Sequence, residues 1–464
     1  MSFLGVAELR AQIRSGERTA EDVVQESLAR AESLGSSLNA FIQLDRGGAL
    51  QAAQDLDAKR ARGIPPGPLH GIPVAVKDLI RTRGMGTTGG SRALEDDFSR
   101  GSEALLVRRL RRAGAVLVGK TNLNEFAYGV TGANAHYGDS LNPWDPRRMS
   151  GGSSGGSAVA VVAGIVPMSV GTDTRGSIRI PSACCGGSGF KPTRGRIPLD
   201  GVFPLSRTLD HAGPMARSVA DALELLGSLL SPREASALRA GIQRTILSGL
   251  RVGIPTSCWN RVHPEVLGAF ERAIEILRAL GLRPVEIAIP ELDESLDASA
   301  VIAGAESLDV HEARIQSRPE KFDPVVLERL QRGRPLSAVD LTRALFTRER
   351  LDQAVRRASR EVDLFVGPTL PGLPPEGGAP GVDVGGGEEE IVVRAFCRFM
   401  APQNMMGAPA LSIPCGFSSQ RIPIGLHLWA PPGRDERVLA AGLAFQAQTD
   451  FHRQIPPLEI PPLA

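Results

Sequence analysis

A serine at position 177 lies in the run GTDTRGSIRI, residues 171 to 180, with an arginine two positions before it and no histidine within thirty residues on either side. A serine hydroxyl is a poor nucleophile until a neighbour takes its proton, and lysine can do so where burial penalises the ammonium. Lys77 stands in IPVAVKDLI, a β-branched run of strand length, flanked by Val74, Val76, Leu79 and Ile80. It is the lysine of this chain best placed for that work. A hundred positions separate it from Ser177, and the glycine-rich GGSSGGSA between them offers a bridge. Its glycines let backbone approach closely, and Ser153 or Ser154 can hand a proton between the two. The chemistry these residues would do together is acyl transfer through serine.

Each piece also has a plainer reading. GGSSGGSA alone reads as a flexible linker or a phosphate nest, although a linker would not run straight into the apolar SAVAVVAG. No Lys-Ser or Lys-Thr pair closes it as a Walker loop. A lysine in an apolar run is often snorkelling at a strand end.

In combination the motifs are specific. GGSSGGSAVAVVAG followed by GTDTRGSIRIPSACCG, with AVKD upstream, resembles the diagnostic segment of the amidase signature family. The resemblance extends through GKTNLNEFAYG, NPWDPRR, GFKPTRGRIP, LDHAGPMARS, LFVGPT, GAPALSIPCGF and PIGLHL, and so spans almost the whole chain. It implies an α/β amidase signature fold, a large mixed central β-sheet covered by helices on both faces. It also implies Ser177 as nucleophile, Ser153 as a bridging serine on a cis peptide bond, Lys77 as base and Ser154 in support. The backbone N–H groups of Thr174, Arg175, Gly176 and Ser177 would form the oxyanion hole. Asp173 and Arg179 would pair to hold the loop. No cofactor is implied.

Members of this family act on amides, anilides, carbamates, ureas or esters, and one is the glutaminase component of a tRNA-dependent amidotransferase. Three features count against that component here: IRIP where it usually carries a glutamine, TLDHAGP in place of SLDQIGP, and GTDTRGS in place of GTDTGGS. Arg175 is the departure nearest the nucleophile. Its side chain either points away and pairs with an acid such as Asp173 or Asp210, or lines the pocket and favours an acidic or carbonyl-rich substrate. Residues 310 to 336 look closer to stand-alone amidases and would shape the acyl or leaving-group pocket, with plain helical packing as the alternative.

Positioning these groups requires alternating strands and helices, and the chain reads that way. Residues 5 to 60 read as helices, with Thr19 capping AEDVVQESLARAESL. Strands are expected at IPVAVKDLI, GAVLVGK, LRVGIP, PVEIAI, DLFVGP, PALSIPCGF and IPIGLHLWAP, and GTDTRGSIRI reads as a turn feeding a strand. Residues 186 to 214 read as loops. Residues 296 to 361 read as mostly helical. EGGAPGVDVGGGEEE, 376 to 390, reads as a solvated surface loop, with a mobile lid as the sharper alternative. No repeat or long polar linker divides the chain. A single domain over 1–464 is expected, with N-terminal helices to about residue 60, a signature core at about 65–235 and a part at about 250–464 completing the sheet and pocket.

Composition bounds the partners. The 464 residues are 42% apolar and 22% charged with a net charge of +2, which leaves no surplus to draw the chain to nucleic acid or acidic lipid. Cys184, Cys185, Cys258, Cys397 and Cys415 are odd in number and scattered, and the seven histidines show no metal-ligand spacing. Neither a disulfide framework nor a metal site is expected. The N-terminus lacks a signal-peptide pattern, and the longest apolar stretch, 158 to 170, is too short to span a bilayer. A cytoplasmic hydrolase of small-molecule amide-type substrates is expected, without nucleic acid or membrane partners, and a homodimer is compatible with it.

Overall fold

The computed structural model describes residues 3–94, 96–256 and 261–458. Cys258, which entered the readings above, lies outside them. Thr19 opens the helix Ala20–Ser33 as expected: its hydroxyl accepts the Asp22 N–H at 3.0 Å, and the Asp22 carboxylate accepts the Thr19 N–H at 2.8 Å. Two donors of the first turn are thereby satisfied together.

Among the described residues thirteen strands follow in chain order: β1 (Phe41–Leu44), β2 (Pro73–Lys77), β3 (Val116–Thr121), β4 (Met168–Asp173), β5 (Ser188–Lys191), β6 (His211–Ala216), β7 (Arg251–Pro255), β8 (Arg283–Ile287), β9 (Leu364–Pro368), β10 (Gly381–Asp383), β11 (Glu389–Ile391), β12 (Ala410–Phe417) and β13 (Pro423–Trp429). Eleven of them form one sheet in the order β1-β3-β2-β4-β6-β5-β12-β13-β9-β7-β8. Strands β3, β2 and β4 are parallel, as are β9, β7 and β8, while the stretch from β4 across to β9 is antiparallel. The sheet is mixed.

Side chains alternate between two cores, as the strand period of two requires. Along β3, Val116 and Val118 enter one core and Leu117 the other; along β2, Ala75 enters the first and Val74 and Val76 the second. Helices Ala20–Ser33, Gly155–Val162, Glu291–Ser317 and Ala338–Ala358 fill the first, and Val6–Ser15, Leu105–Arg112, Val219–Leu229, Pro264–Ala279 and Asp435–Ala447 the second. Burial on both faces is why these strands read as unbroken apolar runs.

Four local expectations are corrected. The stretch 5–60 contains β1 as well as helices, and it forms one sheet edge against β3. The presumed loops at 186–214 contain β5 and open into β6, both inside the sheet. Gly213 belongs there because an added Cβ would stand 2.2 Å from the Phe190 carbonyl oxygen of the next strand. GTDTRGSIRI leaves a strand, β4, and feeds a helix, Arg179–Cys185. The 376–390 segment, read as a loop, carries a surface hairpin, β10 paired with β11, in which Val382 and Val384 are buried while most of the other residues stay exposed.

No helix among the described residues is long and apolar enough to cross a membrane.

Candidate active site

Lys77 closes β2 at the carboxyl end of the parallel part of the sheet, and Thr172 lies near the end of the neighbouring β4. Open α/β sheets hold ligands beyond such strand ends. Ser153 and Ser154 immediately precede the helix Gly155–Val162, and the Gly152–Ser153 peptide bond is cis. Lys77 is fully buried, with Nζ 2.8 Å from Ser153 Oγ, 2.9 Å from Ser154 Oγ and 2.8 Å from Thr172 Oγ1. Burial pulls its ammonium down to about 7 against the opposing pull of Asp173 and Asp210. A neutral amine has two N–H groups and one lone pair, so one of the three hydroxyls must donate to it. Ser154 spends its hydrogen on the Thr172 carbonyl at 3.1 Å. The donor to Lys77 is therefore Ser153 or Thr172.

Ser177 sits in the turn between β4 and the helix Arg179–Cys185. Its carbonyl accepts the Ser154 N–H at 3.2 Å, which ties this turn to the serine pair. The residue is 5% exposed, and its hydroxyl has no hydrogen-bond partner among the described residues. Lys77, Ser153 and Ser154 are thus brought into direct contact, while Ser177 joins them through backbone with its own hydroxyl left free.

Asp173 holds the turn from beneath. Arg179 donates to it twice, Nε to Oδ2 at 3.0 Å and Nη2 to Oδ1 at 3.1 Å, and both residues are fully buried. The expected pair is present. Burial would raise the Asp173 carboxyl, but the charge and hydrogen bonds of Arg179, with Lys191 and Asn404 behind them, hold it below the usual carboxylate range. Removing one partner of a buried pair leaves the other charge uncompensated, so Asp173→Ala is expected to cost about 3–5 kcal/mol of stability. Denaturant unfolding checks this; a loss below about 1 kcal/mol would mean that the pair does not organise the turn.

The same carboxylate corrects the expected set of four backbone donors. Gly176 N–H donates to Asp173 Oδ1 at 2.8 Å, and Ile178 N–H to Oδ2 at 3.2 Å, so Gly176 is not free to bind an oxyanion. The N–H groups of Thr174, Arg175 and Ser177 remain. Gly176 is there for its backbone: φ is +117°, and an added Cβ would stand 2.7 Å from Met400 Cβ and Cγ. Gly176→Ala is expected to destabilise by about 1–3 kcal/mol and to reduce turnover, read by thermal melting and kinetics side by side.

The Arg175 side chain reaches neither acid expected for it. Its Nε donates to Ser299 Oγ at 3.0 Å and its Nη2 to the Leu296 carbonyl at 3.2 Å. Asp210 is occupied elsewhere: it accepts Thr174 Oγ1 at 2.6 Å and the N–H groups of Leu205 and Ser206 at 2.9 and 3.1 Å. Burial pushes its carboxyl up to about 6, the hydrogen bonds of Thr174, Leu205 and Ser206 opposing.

Sequence reasoning missed Thr172 as a partner of Lys77 and missed the Arg179 acceptors Gln403 (3.1 Å) and Asn404 (2.6 Å). A hydroxyl just before Asp173 was a signal for the first; nothing local marks the second, which lies more than two hundred residues downstream. Among the described residues, no group of three or more His, Cys, Asp or Glu side chains is gathered to hold a metal ion.

A family model described as Amidase matches residues 22–439. The chain is 37% identical to the glutamyl-tRNA(Gln) amidotransferase A subunit of Chloroflexus aurantiacus, covering 99% of each, and 34% identical to that of Chromohalobacter salexigens, covering 97% of this chain and 98% of that one. Among solved structures it is similar to an amidase (36% identity, TM-score 0.87, 96% of this chain and 100% of that one). It is also similar to a chain from an inhibitor-bound vestigial protein complex that reveals the evolutionary origins of an s-triazine catabolic enzyme (32%, TM-score 0.88, 96% and 98%), and to a peptide amidase from Stenotrophomonas maltophilia (29%, TM-score 0.82, 97% and 98%).

Proposed function

The chain belongs to the amidase family of enzymes acting on carbon–nitrogen bonds, and from that membership we propose that it is a stand-alone hydrolase of amide-type substrates working through an acyl-enzyme on Ser177. The observation that carries this reading is the buried lysine: Nζ of Lys77, depressed to about 7, lies 2.8 Å from Ser153 Oγ, one residue before the serine whose N–H holds the Ser177 carbonyl. Neutral Lys77, through Ser153, takes the proton of Ser177 as Oγ attacks the substrate carbonyl. The N–H groups of Thr174, Arg175 and Ser177 receive the oxyanion, each preorganised donor contributing ~3 kcal/mol. The carbon–nitrogen bond then breaks, the proton returns through Ser153 to the leaving amine, and water hydrolyses the acyl-enzyme by the same relay. The chain would act as one domain, since its sheet draws strands from residue 41 to residue 429.

Residues of the 310 to 336 region pack into a buried core cluster near the end of β2. Leu79, two residues past Lys77, clusters with Phe126, Phe203, Leu205, Phe322, Val326 and Leu330, three of them from the 310 to 336 region. The identity of 34–37% to amidotransferase A subunits favours a second reading, ammonia release from glutamine for a partner complex. Against it stand three residues packed around the nucleophile turn: Arg175, Ile180 and His211, the last two buried.

A panel of aliphatic amides, anilides, carbamates, ureas, esters and glutamine separates the readings. Hydrolysis of an amide or anilide by the purified single chain is the expected result. Silence on all of them, with ammonia released from glutamine only once partner proteins are added, would replace the first reading with the second.

A further inference from the structure

Arg175 is held by a helix that lies outside the reacting groups themselves. Both of its acceptors, Ser299 Oγ and the Leu296 carbonyl, lie on the helix Glu291–Ser317. Ser299 Oγ donates to that same carbonyl at 2.7 Å, which commits its hydrogen and leaves lone pairs for the guanidinium. Thr174 is tied to the same helix by a second route. Its hydroxyl donates to Asp210, which also accepts the Ser206 N–H, and Glu306 accepts the Ser206 hydroxyl together with the N–H (3.0 Å) and hydroxyl (2.7 Å) of Thr208. Ser299 and Glu306 are seven residues apart, about two turns, so they share one helix face roughly 10 Å apart along the axis.

We propose that Arg175 is a positioning residue whose side chain fixes the Thr174–Ser177 backbone to the helix Glu291–Ser317 and so aims the oxyanion donors. The inference rests on the reading of this segment as the oxyanion hole. Asp173 anchors the segment at Gly176 and Ile178, and Thr174 is anchored through Asp210. Asp173 fixes the Arg175–Gly176 peptide through the Gly176 N–H, whereas the Thr174–Arg175 peptide, which carries the Arg175 N–H, has no backbone hydrogen bond among the described residues, so the Arg175 side chain is the tie that bears on its direction. A donor turned away from the oxyanion loses its effect on turnover while leaving substrate binding in place.

Arg175→Gly, Arg175→Lys and Ser299→Ala test this with two readouts: kcat and KM on a p-nitrophenyl ester, and the rate at which a fluorophosphonate labels Ser177, followed by intact mass. Arg175→Gly is expected to lower kcat and the labelling rate about 10- to 100-fold with KM nearly unchanged, since outright loss of one such donor costs about 10²–10³. Arg175→Lys recovers part of the loss, because one donor still reaches the helix. Ser299→Ala reproduces a smaller fall in the same parameters, and the pH midpoint stays with Lys77 in every variant. An unchanged labelling rate in Arg175→Gly, or a rise in KM alone, overturns the proposal; the latter would make Arg175 a substrate contact. If Arg175→Gly melts too early to assay, Ser299→Ala decides, and unchanged kcat there overturns it. A wild-type chain that folds but is not labelled at Ser177 overturns the proposed function and this inference with it.

Discussion

Ser177→Ala is expected to lower kcat by about 10⁴- to 10⁶-fold while the protein melts within a few degrees of the parent. The hydroxyls around Lys77 are not equivalent. Those of Ser153, Ser154 and Thr172 all touch the lysine nitrogen, and Ser154 is further committed to the Thr172 carbonyl. Ser177 is 5% exposed with its hydroxyl unengaged, and it shares its turn with Thr174 and Arg175, whose N–H groups, unlike that of Gly176, are not taken by Asp173. No neighbour is placed to substitute for it. Residual hydrolysis above one per cent, with the fold intact, would move the nucleophile to another residue.

Lys77→Met is expected to lower kcat/KM by about 10²- to 10⁴-fold, the usual contribution of a positioned proton acceptor. Methionine is preferred to alanine because it fills the space of a fully buried side chain, although three hydroxyls lose a partner. The sign of the pH dependence follows from the lone pair. Above a pKa of about 7, Lys77 is neutral and can accept a proton; below it, the ammonium cannot. Wild-type kcat/KM should therefore rise from pH 5 through 7 and level off in the alkaline range. Asp210, pushed up to about 6 by burial, titrates nearby, and its protonation would loosen the turn that it holds through Leu205, Ser206 and Thr174. The variants separate the two: Lys77→Met should lose the limb near 7, whereas Thr174→Val, which releases Asp210 from the turn, should keep it. A flat wild-type profile from pH 5 to 10 would remove Lys77 as the base.

How far the sequence reveals this site depends on how local each interaction is. Lys77 was legible because an ammonium inside a β-branched run is chemically out of place, and burial on both sheet faces makes such runs conspicuous. Thr19 was legible because a capping box lies within four residues. The central strands β5 and β6 were not, since Gly189, Gly213 and Pro214 read as breaks, and proline is ordinarily confined to sheet edges. Yet Pro214 sits opposite Val170 in the middle of the sheet, and Gly213 is required by the close carbonyl of Phe190. Their neighbours, not their propensities, make them strands.

The serine pair and the nucleophile turn were reached by family resemblance, and the geometry refines rather than repeats that expectation. Gly176 was grouped with the oxyanion donors because it lies between them in the chain; only the carboxylate of Asp173 at 2.8 Å shows its N–H to be taken. For Arg175 the sequence offers pairing with an acid, as a lone guanidinium does by charge alone, or a place in the pocket wall. Its actual acceptors lie more than a hundred residues downstream on a helix face, and both are neutral. Pairings of that length leave no periodic or spacing signal in a single sequence.

The central claim is that Ser177 becomes acylated during turnover. Acid quenching the purified chain a few milliseconds into hydrolysis of a p-nitrophenyl ester, followed by intact and peptide mass measurement, tests it most directly. One added acyl mass is expected on the peptide carrying Ser177, lost in Ser177→Ala and formed far more slowly in Lys77→Met. Turnover with no covalent species, or an acyl group on any other residue, would contradict it.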